Sequence, residues 1–138
     1  MKNDRKIIFG IKEKRGKSRS FLNKILVKWQ KKLQMTDWKL DLQIVDFKRV
    51  DYRQSGDFIA NPKKKTASIL MTWNPFRGDE EYTLVHELIH VLLNDYDKSC
   101  ENELIKNKVS RAKHDLYMEK LENLAHHLTR ILLGRSDR

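Results

Sequence analysis

Phe21, Leu22, Ile25, Leu26, Trp29 and Leu33 recur at helical spacing, and Lys24, Lys28, Lys31 and Lys32 fall largely on the opposite side. This period predicts an amphipathic helix with a basic outer face, opening at Ser18 or Ser20 as N-cap. The period then drops to two. Trp38, Leu40, Leu42 and Ile44 alternate with Lys39, Asp41 and Gln43, which predicts a half-buried strand over WKLDLQIVDF. The polar stretch Lys48 to Lys65, with Gly56 and the Asn61-Pro62 turn signal, holds only a weak strand at Asp57 to Ala60. Alternation returns from Thr66 to Trp73, with Ala67, Ile69, Met71 and Trp73 on one side, and Asn74-Pro75 ends it.

Arg77-Gly78-Asp79 makes the next turn, with Asp79 as N-cap and Glu80 and Glu81 favourable in the first helical turn against the macrodipole. This helix is expected to end near Asn94. Asp95 to Asn102 reads as a polar break, Glu103 to Lys113 as weakly apolar but helix-compatible, and Asp115 to Leu133 as a closing helix. Leu121, Leu124, Leu128, Ile131 and Leu132 form that last helix's stripe. The order of helix, strands, then two or more helices is that of an α+β domain.

A chain of 138 residues suits one domain. We divide it into a basic arm over 1–19, with a short strand at KIIFGI, a folded domain over 20–134 and a tail over 135–138. No apolar run is long enough to span a membrane, and no small-residue cleavage site follows IIFGI, so a cytoplasmic protein with no membrane partner is expected. Cys100 is the only cysteine. Intramolecular disulfides and thiolate metal clusters are therefore excluded, and any metal must be held by His and carboxylate. Residues 1–35 carry 12 Lys or Arg against 2 acids, whereas residues 36–138 carry 17 of each. The formal charge of +10 thus originates in the first quarter of the chain. Lys12, Lys14, Arg15, Lys17 and Arg19 are candidate contacts to nucleic acid, with a solvated arm as the bland reading.

The chemistry concentrates in YTLVHELIHVLLN, where His86-Glu87-Leu88-Ile89-His90 spells HExxH inside the helix predicted from Asp79. Residues four apart share a helix face, so His86 and His90 can direct imidazole nitrogens at one point with Glu87 beside it. Such a pair serves hydrolysis: zinc lowers the pKa of a bound water, and a neighbouring carboxylate takes its proton during attack on a carbonyl. A shuffled chain of this composition would show HExxH in about one trial in a hundred, so the helical setting and the strand before it add to the signal. A catalytic zinc normally takes three protein ligands, and the third must lie downstream. Glu122, bordering the last helix's apolar stripe with Ala125 one turn on, is the first choice. Glu119, His114, His126 and His127 are the other candidates. His126 could support a ligand histidine, and Tyr117 or His114 could hydrogen-bond an oxyanion.

These features resemble the minimal gluzincin-type zinc metallopeptidases, small zincins of phages and mobile elements, over roughly residues 20–133. The carriers are the leading amphipathic helix, the strands WKLDLQI and ASILMTW, the helix TLVHELIHVLL, and Glu122, Ala125 and Leu128 matching E-x-x-A-x-x-L. The resemblance implies a zincin-like α+β domain with a small mixed sheet, an active-site helix and a C-terminal glutamate helix. It further implies zinc on His86, His90 and Glu122, Glu87 as general base, peptide-bond hydrolysis, and TASILMTW as the cleft-rim strand that pairs with extended substrate. SprT-like metallopeptidases place a third histidine in a His-Gly context, which His114-Asp115 does not match. The competing class is a nucleic-acid-associated accessory protein with a structural or vestigial zinc site.

Overall fold

The computed structural model describes residues 19–45, 56–72 and 79–135. Three helices and a three-stranded mixed sheet make an α+β arrangement: α1 Arg19–Lys32, β1 Lys39–Ile44, β2 Gly56–Asn61, β3 Thr66–Met71, α2 Glu80–Lys106 and α3 Arg111–Leu133. The arm residues Lys12, Lys14, Arg15 and Lys17, the KIIFGI strand, the Asn74-Pro75 stop and residues 136–138 lie outside the described residues. Arg19, assigned to the arm, instead begins α1. No described helix is long and apolar enough to cross a membrane.

The apolar face of α1 buries Leu22, Ile25, Leu26 and Trp29, while Lys24, Lys28, Lys31 and Lys32 stay exposed. That is the outcome the helical period predicts, except that Phe21, at the start of the stripe, is exposed. Gln34, with φ 57°, reverses the chain after α1, and Gln30 Nε2 donates to the carbonyls of Met35 and Trp38. The connection delivers β1 to one edge of the sheet, beside β3.

β3 lies between the other strands, parallel to β1 and antiparallel to β2. Leu40, Leu42 and Ile44 on β1 align with Ala67, Ile69 and Met71 on β3 and with Ala60, Phe58 and Gly56 on β2. This aligned face meets the helices, and the fully buried Ile69, Met71, Leu84, Val85 and Leu88 occupy the core between them. The weak strand signal at 57–60 is real, whereas the expected substrate-pairing role of TASILMTW fails on topology. Both edges of β3 are taken by neighbours, so β2 is the edge strand beside α2.

α2 does not stop near Asn94. It runs 27 residues to Lys106, straight through the expected polar break DYDKSCEN. Polarity alone does not end a helix, and this stretch contains neither Gly nor Pro. The turn comes at Asn107–Ser110, where Lys108 takes φ 53° and Ser110 caps α3 through a bond from Lys113 N. α3 therefore begins at Arg111, four residues before the expected start.

Candidate metal centre

α2 and α3 form an antiparallel hairpin joined by polar pairs along its length. At the open end Arg135 Nη2 donates to Asp79 Oδ2 at 3.0 Å, and Asp79 also caps α2 through a bond from Tyr82 N. Near the turn, Tyr117 donates to Asp97 at 2.7 Å and His114 Nε2 lies 3.0 Å from Glu101. Between these pairs, Tyr82, His86 and His90 repeat every four residues on α2 and face Glu122 and His126 on α3.

Glu122 is the focus. His86 Nε2 stands 3.0 Å from its Oε2, His90 Nε2 2.8 Å from its Oε1, and His126 Nε2 3.2 Å from Oε2. One donor atom from each of His86, His90 and Glu122 falls within 4.8 Å of the other two, so the three could hold a metal ion. Four tetrahedral ligands at about 2.1 Å from an ion lie about 3.4 Å apart, so an ion would replace the two direct histidine–carboxylate hydrogen bonds of 2.8 and 3.0 Å with slightly wider separations. The ring planes of His86 and His90 cross at 79°, so their in-plane lone pairs can converge. His86 Nδ1 has no hydrogen-bond partner among the described residues, and its directional contact runs through Nε2.

The sheet and helices hold these rings. Phe58 on β2 stacks on His90 at 5.7 Å, and Tyr82 stacks on His86 at 6.3 Å, each with planes 10° apart. Ala125, fully buried, allows α3 to approach α2 closely one turn beyond Glu122. Glu87, also buried, lies against the start of β2, where Gly56 leaves no room for a side chain. A Cβ there would sit 2.7 Å from Thr83 Cγ2 and 3.1 Å from Glu87 Oε2.

Burial pushes the Glu87 carboxyl up to about 8, reinforced by the charge of Glu122. Burial also lowers His86, against the hydrogen bond and charge of Glu122, and thus favours the neutral imidazole that a metal requires. For Glu122, partial burial acts upward, but hydrogen bonds from His126, His86 and His90 outweigh it and hold the carboxylate far below its usual range.

Of the sequence candidates, His86, Glu87, His90, Glu122 and His126 come together. Tyr117 does not join them: its hydroxyl is engaged by Asp97, seven residues beyond His90 on α2. His114 is likewise held by Glu101, and Glu119 and His127 are exposed on α3 apart from the group. Sequence reasoning missed Tyr82, although its place four residues before His86 is the signal that could have found it. It also missed Gly56 and Phe58, which only the sheet register brings to α2. The chain matches no family model, no curated protein and no solved structure.

Proposed function

We propose that the chain is a zinc-dependent metallopeptidase with a zincin-like fold, in which His86, His90 and Glu122 hold the metal and Glu87 moves the proton. The observation that carries this reading is the gathering of two imidazole nitrogens and one carboxylate from two helices, with a buried fourth group, Glu87, beside the first histidine. Zinc, when bound, supplies Lewis acidity toward a carbonyl oxygen and toward water.

The protein's own residues do the rest. Burial favours the neutral imidazole of His86, and the Tyr82 and Phe58 rings orient His86 and His90. The Glu87 carboxyl, poised at about 8, is near the range in which one group can accept a proton from water and return it to a leaving amine at neutral pH. Extended peptide has a place to bind along β2. The bonds Lys39 N to Lys65 O and Val45 N to Met71 O turn the odd-numbered positions of β3 toward β1. Its even-numbered positions therefore pair with Asp57, Ile59 and Asn61, and the backbone groups of Phe58 and Ala60 point out from the edge. The Phe58 N–H is met there by Asp57 Oδ1 at 2.8 Å, a bond that an incoming strand would exchange.

The test is paired. Purified protein is expected to carry about one zinc per chain, lost in His86→Ala and His90→Ala. Glu87→Gln should keep the metal while peptide hydrolysis falls by about 10²- to 10⁴-fold. Full zinc content in both histidine variants would refute the site, and full activity in Glu87→Gln would refute the mechanism.

A second reading, binding to nucleic acid by an accessory protein, is favoured by the exposed Lys24, Lys31 and Lys32 on α1 and Lys63 and Lys64 in the β2–β3 turn. Salt-sensitive retention of DNA or RNA, reduced by replacing these lysines with Gln, would support it.

A further inference from the structure

We infer that Tyr82 and His126 form a positioning relay for the third ligand, in which the Tyr82 hydroxyl fixes the His126 tautomer so that Nε2–H holds Glu122 Oε2 and leaves Oε1 for the metal. The inference rests on the reading of His86, His90 and Glu122 as a metal site, and it assigns to that site two residues that are not themselves ligands.

The Tyr82 hydroxyl stands 2.7 Å from His126 Nδ1, and His126 Nε2 stands 3.2 Å from Glu122 Oε2. An imidazole carrying one proton donates through one nitrogen and accepts through the other. If the tyrosine hydroxyl donates to Nδ1, the proton must sit on Nε2, facing a carboxylate that only accepts. Both hydrogen bonds are then satisfied, whereas the opposite tautomer would point a lone pair at the carboxylate.

Ring geometry argues that His126 is not a fourth ligand. Its plane lies stacked on His86, 4.1 Å between centroids and 24° between planes. Nitrogen lone pairs lie in the ring plane, so two nearly parallel stacked imidazoles direct them side by side rather than at one point. The His86 and His90 planes instead cross at 79°. His126 is thus placed to bind the ligand, not the ion.

The relay has its own support. The Tyr82 ring packs 5.8 Å from His126 and 6.3 Å from His86, and the Arg135 guanidinium lies 5.9 Å from its centroid. Arg135 is anchored on Asp79, the cap of α2. The chain from helix cap to Glu122 therefore crosses the hairpin three times. Holding a ligating carboxylate from outside in this way typically contributes ten- to a hundredfold in metal affinity.

The experiment titrates cobalt(II) into metal-free native protein, Tyr82→Phe, His126→Ala, His126→Gln and the double variant Tyr82→Phe/His126→Ala, reading the visible ligand-field bands and affinity by chelator competition. His126→Ala is expected to weaken cobalt binding by about 10- to 100-fold while giving the native spectrum at saturation. Gln, which retains an N–H donor, should recover much of the loss. Tyr82→Phe should weaken binding less than His126→Ala, and the double variant should bind no worse than His126→Ala, because the hydroxyl acts only through the imidazole. A changed spectrum in saturated His126→Ala would make His126 a ligand and overturn the relay, as would native affinity in that variant. Additive losses in the double variant would overturn the coupling to Tyr82. Failure of the native protein to take up cobalt would instead remove the metal reading itself. Tyr82→Phe and His126→Gln change few atoms and keep the test decisive if His126→Ala misfolds.

Discussion

Gly56 is where the edge strand meets the helix that carries His86 and His90. A methyl group at this position would press on Thr83 Cγ2 at 2.7 Å and on Glu87 at 3.1 Å. Gly56→Ala is expected to destabilise the protein by about 1–3 kcal/mol through overpacking. Adding Thr83→Ser, which removes the offending Cγ2, should restore much of that in equilibrium denaturation. Unchanged stability in Gly56→Ala would mean that strand and helix are not as close as the structure places them. Legibility at this scale followed the range of the interaction. His86, Glu87 and His90 could be read because all three lie within five residues on one helix, where spacing translates directly into geometry. Glu122 and His126 could be nominated by their own helical stripe but not paired with particular partners. Gly56 and Phe58 were invisible because their partners on α2 lie about 30 residues away, and sheet register, not local pattern, delivers them.

The hairpin of α2 and α3 is held unlike the rest of the molecule. Of 23 residues in α3 only Leu121, Ala125 and Thr129 are buried, while Leu116, Leu124, Ile131 and Leu132 remain exposed. Leu128 and Leu133 add partly buried contacts to the core, and the rest of the attachment is polar: His126 with Tyr82, Glu122 with the two histidines, Tyr117 with Asp97, His114 with Glu101 and, just beyond the helix, Arg135 with Asp79. A metal bridging Glu122 to His86 and His90 would be a strong additional tie. Chelation is therefore expected to raise hydrogen exchange across α3 well before the amides of β3 and the first half of α2, which sit in the apolar core. Uniform acceleration over all elements would show that α3 is not the weakly held part. The same pairs explain why the length of α2 was misjudged. Asp97 and Glu101 look like loop residues in a hydrophobicity pattern, but they face a partner helix with polar groups of its own. A reading that equates buried with apolar ends the helix where its partner becomes polar.

At the scale of the whole molecule, the His–Glu cluster and its neighbour Glu87 set the pH dependence of the metal-free protein. Glu87 ionises at its ordinary 4.5 in the unfolded chain but is raised to about 8 in the fold. Between those values the unfolded chain has released a proton that the folded chain keeps. The contribution of Glu87 to stability is thus complete below about pH 4.5 and is lost as pH rises through about 8, on the order of a few kcal/mol in all. Glu122 and His86 work in the other direction. A carboxylate held far below its usual range loses its stabilising pairs as acid approaches, and a buried imidazole with lowered pKa makes the fold costly to maintain as pH falls below 6.5. The apo protein should therefore be most stable in the mildly acidic range and weaken on both sides. Glu87→Gln removes only the alkaline limb. Its apo melting temperature should change less than the native one between pH 5.5 and 8.5, with the variant the more stable of the two at pH 8.5. A dication beside Glu87 favours its ionised form, so saturating zinc should flatten the native curve toward that of the variant. Thermal melts of both proteins across this range, with and without zinc, measure all three expectations. Parallel apo curves would show that Glu87 is already ionised in the fold, and the proposed proton carrier would then need another source for its basicity.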